Sequence, residues 1–250
     1  MSTVSRPRLL VTRPAARQEP FGARARALGL ATLAFPCVEI RPEPDLRLPC
    51  PEALRRFEAV LFTSRSSVEV LALRYPFPWP GVRALAIGAA TGAALLGAGQ
   101  PLARTPLDAS TSEALVGALA RTAPLESLLV IKGHGGRELV ETSQRARGTR
   151  VETLAVYTRA RPTPDAATRH RVFTRTPPDI LSATSDEILD NLVALAAEAL
   201  PNLLPRPLIV NSERSAARAR EHGFTGAVTV ATPPGDTGQL AALGRWLATR

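Results

Sequence analysis

Leu154–Pro162 reads LAVYTRARP, and Ala34–Pro42 reads AFPCVEIRP. Both alternate apolar and polar positions, the pattern of a half-exposed strand. Both end on Arg-Pro, and proline stops regular structure from running on. Between them lies a block the size of a small domain. We read the pair as two crossings: the chain leaves one domain, builds a second and returns. The organisation expected is a discontinuous domain of residues 1–35 plus 163–250, an inserted domain of residues 42–153, and linker strands at 36–41 and 154–162.

Outward from these crossings, four stretches share one plan of apolar strand, small polar turn, helix, glycine and second extended segment. They start near Arg8, Arg83, Leu128 and Pro207, and their glycines are Gly29, Gly99, Gly148 and Gly223. A glycine after a helix suits the left-handed position that ends it. Two further stretches, FEAVLFTSRSSVEVLAL from Phe57 and PDILSATSDEILDNLVAL from Pro178, run strand, Thr-Ser, helix. There the hydroxyls suit helix N-caps. Strands that are nearly all apolar and alternate with helices imply a parallel sheet covered on both faces. Each half carries one Thr-Ser unit and two glycine units, so the fold expected is α/β with two similar domains. Proline-rich spacers separate the units. One of them, YPFPWP at Tyr75–Pro80, reads as a packed loop tip.

Composition narrows the function. With 45% hydrophobic residues in 250, the chain has enough apolar material for a core. No apolar run approaches the roughly 20 residues of a membrane span. The opening MSTVSRPRLLVTRP has no apolar signal region, so the location expected is cytoplasmic. Cys37, Cys50 and the three histidines are scattered without metal-ligand spacing, and the cysteines read as reduced thiols. Net charge is +9, and Lys132 is the only lysine among 31 basic residues. The charge favours anionic partners. No basic run of five exists, however, and aromatics are only 4%, which argues against a single-strand nucleic-acid platform.

In parallel sheets ligands sit beyond the carboxyl ends of the strands. The repeats place Thr12, Arg13, Thr63, Ser64, Gly88, Thr91, Lys132, Gly133, Arg137, Thr184, Ser185, Asn211, Ser212, Arg214 and Ser215 there. These are hydroxyls, glycines and cations, with no carboxylate pair, no catalytic triad and no nucleotide-binding glycine motif. Helix N-termini with hydroxyls and cations suit a polyanion. The plainer reading of any one hydroxyl is that it only caps a helix.

Nine short motifs, in order along the chain, resemble uroporphyrinogen-III synthases. They are VTRP (11–14), FPCVEI (35–40), VLFTSRSSV (60–68), AIGAAT (86–91), TSEAL (111–115), KGHGGREL (132–139), VYTR (156–159), TSDEILDNL (184–192) and VNSERSAARAREHGF (210–224). Lys132 departs from the commoner arginine, and Asn211 from a commoner small residue. The resemblance implies two α/β domains with parallel sheets flanked by helices, joined by a two-stranded β-ladder hinge, with the active-site cleft between them. It implies a cofactor-free lyase of tetrapyrrole (haem) biosynthesis. Such an enzyme cyclises the octacarboxylate hydroxymethylbilane with loss of water and inversion of ring D. On this resemblance Tyr157 assists departure of the hydroxyl, Thr91 is a cleft threonine, and Ser212, Arg214 and Ser215 bind carboxylates. Thr12, Arg13, Thr63, Ser64, Lys132, Thr184 and Ser185 are further substrate-binding candidates. The protein expected is a monomer that touches neither nucleic acid nor membrane and makes a transient contact with the bilane-producing enzyme. Two competing readings are a two-domain anion-binding protein without chemistry and a nucleic-acid-binding regulator.

Overall fold

The structure, a computed structural model, describes residues 6–48, 50–103 and 111–250. Among them are ten strands and eight helices of eight or more residues. In chain order these are β1 (Arg8–Val11), α1 (Gln18–Ala27), β2 (Ala31–Ala34), β3 (Glu39–Pro42), β4 (Ala59–Phe62), α2 (Arg65–Ala72), β5 (Ala84–Ala86), α3 (Ala89–Gly97) and α4 (Ser112–Leu119). They continue with β6 (Ser127–Gly133), α5 (Leu139–Ala146), β7 (Arg150–Ala160), β8 (Ile180–Ser182), α6 (Asp186–Ala196), β9 (Leu208–Val210), α7 (Glu213–Glu221), β10 (Val228–Val230) and α8 (Asp236–Ala248). The chain divides into two compact units, Met1–Glu39 with Ala160–Arg250, and Ile40–Arg159.

The first unit has a five-stranded sheet in the order β10-β9-β8-β1-β2, with every recorded pairing parallel. Numbered within the unit this is 2-1-3-4-5, the order of flavodoxin-like sheets. Leu9 and Val11 of β1 face Phe21 and Ala25 of α1 and Leu240 and Leu243 of α8 in one apolar cluster. The second unit has the order β3-β7-β6-β4-β5, and β4, β5, β6 and β7 pair in parallel. It repeats the first unit's plan with β4, β5, β6 and β7 standing for strands 1, 2, 3 and 4. Its edge position beside β7 is filled by β3, which comes first in the unit.

The central strands of both sheets are buried because they are apolar on both faces. In β4, Val60 and Phe62 pack with Val68 and Leu71 of α2 and Leu95 of α3. The alternate residues Ala59 and Leu61 pack with Leu115 and Leu119 of α4 and Val140 of α5. Each such valine, leucine or phenylalanine contributes about 1.5–3 kcal/mol when fully buried. The four helix-ending glycines all have positive φ, between 86° and 96°. In each case the glycine amide bonds back three residues and the next amide bonds back five, as in Gly29 to Arg26 and Leu30 to Ala25. These are Schellman closures, and a side chain there would be strained. YPFPWP is a packed tip: Phe77 stacks on Trp79 at 4.4 Å, and Trp79 is buried against Phe62.

The repeat pattern and the topology do not coincide position for position. The Thr-Ser unit of the second sheet begins on β4, its strand 1, whereas that of the first begins on β8, its strand 3. What they share is the pair of strands where the order reverses, β1/β8 in one unit and β4/β6 in the other. Leu154–Ala160 is the carboxyl-terminal part of β7, and that strand runs on from Arg150 as a member of the second unit's sheet.

Candidate active site

The second unit opens at its β4/β6 reversal. A cavity of about 130 Å³ lies there, lined by Thr63, Ser64, Ser112, the Gly133–Gly136 loop, Tyr157 and Arg159, with Lys132 and Glu141 also on its wall. Parallel sheets bind ligands at this place, because two crossovers diverge to opposite faces and leave a crevice beyond the strand ends.

Tyr157 reaches the cavity through a register change. β6 and β7 run in step from Ser127↔Arg150 to Lys132↔Ala155, and then Gly133 pairs with Tyr157. One extra residue in β7 therefore re-aims the tyrosine, as a bulge does. Its ring lies on Gly133 so closely that a Cβ there would be 2.5 Å from Tyr157 Cζ. The residue is 1% exposed. Its hydroxyl is 3.0 Å from Ser64 Oγ and accepts a hydrogen bond from Arg159 Nη2 at 3.3 Å. The Tyr157 carbonyl accepts the His134 amide at 2.8 Å, so the glycine loop is tied to the same residue. His134 Nε2 in turn lies 2.9 Å from Glu43 Oε1.

Ser64 is the N-cap of α2 and accepts the Ser67 amide at 3.1 Å. Thr63 donates its hydroxyl to the Ile131 carbonyl at 3.3 Å while lining the cavity. The Lys132 ammonium, expected to meet substrate carboxylates, donates to Glu141 Oε1 at 2.8 Å in a buried ion pair, so its charge is already balanced. Thr91 is buried in α3 and is not on the cavity wall. Arg137 lines the cavity and pairs with Glu113, whose carboxyl is held below the usual range first by a backbone hydrogen bond and then by Arg137. Ser112, Glu141 and Arg159 are wall residues that sequence reasoning did not single out. Arg159 had a signal, since residues two apart on a strand share a face.

The first unit's reversal is filled by its own side chains. Thr12 is fully buried and donates to the Ser182 carbonyl at 2.5 Å. Arg13 is buried over the Phe21 ring at 3.6 Å, ion-paired with Asp236, and donates to Gln239 Oε1 at 2.9 Å. Burial pulls the Arg13 guanidinium below its ordinary pKa, and the Asp236 hydrogen bond and charge oppose that pull; an arginine so paired stays charged. Gln239 also donates to Asn211 Oδ1 at 2.9 Å, and Asn211 Nδ2 donates to the Thr184 carbonyl at 3.2 Å. Thr12 and Arg13, expected to bind substrate, thus have internal partners that their strand-end positions did not reveal.

The remaining candidates form a chain at the N-termini of α6 and α7. Ser185 caps α6 through the Ile188 amide. Ser212 caps α7 and bonds the Ser215 hydroxyl at 2.9 Å, and Ser215 donates to Asp186 Oδ1 at 2.5 Å. Asp186 also pairs with Arg214, whose side chain is 84% exposed. A larger cleft of about 450 Å³, lined by Arg169, His170, Phe173 and Glu198, adjoins the other end of α6.

Comparison with known proteins agrees with the two-unit α/β fold. The family model described as uroporphyrinogen-III synthase HemD matches residues 19–236. A uroporphyrinogen-III synthase of Salmonella typhimurium is 32% identical over 232 residues, covering 86% of this chain and 92% of that protein. One of Escherichia coli K12 is 29% identical over 229 residues, with the same coverage. Among solved structures, a uroporphyrinogen-III synthetase from Helicobacter pylori 26695 covers 98% of this chain and all of that one, with TM-score 0.64 at 18% identity, a likeness of fold. A mutant Thermus thermophilus uroporphyrinogen III synthase has the same coverage with TM-score 0.54 at 21% identity. Neither alternative reading is favoured by these matches. With the family model spanning most of the sequence and a relative above 30% identity aligned nearly end to end, the chain belongs to the uroporphyrinogen-III synthase (HemD) family.

Proposed function

We propose that the chain is a uroporphyrinogen-III synthase whose acid is Tyr157. The enzyme cyclises hydroxymethylbilane to the type III macrocycle with loss of water and inversion of ring D. The supporting observation for the acid is a buried tyrosine that lines a polar cavity at the strand reversal, with its hydroxyl held by Ser64 and Arg159. Tyr157 gives its proton to the hydroxyl of the hydroxymethyl group. The carbon–oxygen bond breaks with its electron pair leaving as water, and an azafulvene cation remains. Ring D attacks that cation through its substituted carbon, and the spirocyclic pyrrolenine rearranges. The proton lost as the ring regains aromaticity restores the phenol. Positioned acid catalysis contributes about 100- to 10,000-fold.

The cavity suits one reacting end or one carboxylate arm of the bilane. Ser112 and the loop amides supply neutral donors there, and Ser212, Arg214 and Ser215 bind other carboxylates. Unassisted closure uses the unsubstituted carbon, so much of the catalysis is the folding of the bilane into the productive arrangement. Residues 36–41 and 154–162 serve as linker strands between the two domains. The enzyme works as a cytoplasmic monomer and receives its unstable substrate in transient contact with the bilane-producing enzyme. No helix among the described residues is long and apolar enough to cross a membrane. The reading is tested by supplying hydroxymethylbilane to purified protein and separating the isomers after oxidation. Type III product is expected, and type I alone, as in a protein-free blank, overturns it.

A further inference from the structure

The two polar neighbours of the Tyr157 hydroxyl have bonding of their own, and it restricts how they face the phenol. Ser64 Oγ accepts the Ser67 amide, and an amide N–H only donates. Its other recorded neighbour is Tyr157 Oη at 3.0 Å. Either hydroxyl can be the donor of that bond; when Ser64 donates, the phenol oxygen accepts its proton. Arg159 Nη2 donates to the same oxygen at 3.3 Å, and a guanidinium has no acceptor to offer in return. An oxygen receiving both bonds has its own proton left over, and the tyrosine lines the cavity.

We propose that Ser64 and Arg159 are positioning residues that aim the Tyr157 proton into the cavity and hold the oxygen once the proton has gone. The inference rests on the acid role of Tyr157 proposed above. As the proton passes to the substrate hydroxyl and water departs, negative charge develops on the phenol oxygen. Two donors, one of them cationic, already point at it, so little reorganisation is needed. The proton released on ring closure then returns to the same oxygen. Ser64 thereby has two tasks, capping α2 and orienting the acid. The cap explains why the serine starts a helix, and the second task explains why its hydroxyl faces β7.

A double-mutant cycle on kcat, with KM and melting temperature measured for every variant, separates the two tasks. Glycine is tolerated at an N-cap, so Ser64→Gly removes the hydroxyl with little loss of helix stability. It should lower kcat about 10-fold, the worth of one hydrogen bond, with KM within about twofold. Ser64→Thr should restore the rate. Arg159→Gln, at an exposed strand position, should act in the same way and provides an independent arm if Ser64→Gly folds poorly. In a Tyr157→Phe background neither substitution should lower kcat further. If Tyr157→Phe is slow and the Ser64 and Arg159 effects persist there undiminished, the positioning role is wrong and the acid role stands. If Tyr157→Phe turns over normally, the acid role falls, and this inference with it.

Discussion

The two sheets share the order of four strands and differ in the origin of the fifth and in what fills the crevice where that order reverses. In the first unit, α8 follows the edge strand β10 and brings Asp236 and Gln239 to the end of β1, where they close on Arg13 and Asn211. In the second, the edge strand β3 precedes the other four, so no helix follows it into the crevice. The chain after β3 is a proline-rich stretch whose Leu46 and Leu48 join the apolar cluster with Val68 and Leu71, and Tyr75 Oη donates to the Leu46 carbonyl. The apolar face is still covered, but the polar end of the sheet keeps its cavity. A change in the order of elements, with the strand arrangement kept, decides whether strand-end polar groups satisfy one another or remain for a ligand.

Substitutions in the two crevices should therefore fail differently. The largest effect expected is on activity in the second unit. Gly133→Ala drives a methyl into the Tyr157 ring, and displacing a reacting group by about 1 Å costs roughly 100-fold in rate. Steady-state turnover with a melting curve checks this, and a rate within twofold of wild type would show that the ring position is unimportant. Next is Glu141→Ala, which leaves the Lys132 ammonium buried and unpaired and should cost about 3–5 kcal/mol by urea unfolding. In the first unit, Asp236→Ala removes one charged hydrogen bond from Arg13. It should cost about 2 kcal/mol with turnover unchanged at saturating substrate, whereas lost turnover in a folded variant would make that crevice reactive too. Smaller again is Ser185→Ala, a lost N-cap worth about 1 kcal/mol.

The smallest is a pH effect. Arg218, and next His222, hold the Asp190 carboxyl below the usual carboxylate range. On acidification the unfolded chain takes up this proton first. The stabilisation is thus complete above about pH 4 and is lost as the pH falls through the lower folded value. Asp190→Asn should flatten the acid limb of the stability curve slightly, since the pair is partly exposed.

The fold was legible because its signals are local. Continuous apolar strands, glycines after helices and Thr-Ser caps each act within a few residues, and the four Schellman glycines stand where the repeats put them. Ser64 and Gly133 were legible as candidates for the same reason, whereas Tyr157 was legible through the family resemblance of its VYTR motif. The satisfied polar groups were not. Arg13 meets Asp236 across 223 residues of sequence and Thr12 meets Ser182 across 170, and no local pattern carries such pairings. Lys132 and Glu141 are only nine residues apart, but their meeting depends on how α5 returns along β6. The one-residue slip that places Tyr157 opposite Gly133 is also a property of two strands together, and neither strand shows it alone.

The central claim is that the open crevice of the second unit holds the acid. It is tested most directly by kcat for type III product from hydroxymethylbilane with Tyr157→Phe, which keeps the ring and removes only the hydroxyl. The expected result is a fall of about 100-fold or more with the melting temperature nearly unchanged. Wild-type turnover from a folded Tyr157→Phe protein would contradict it.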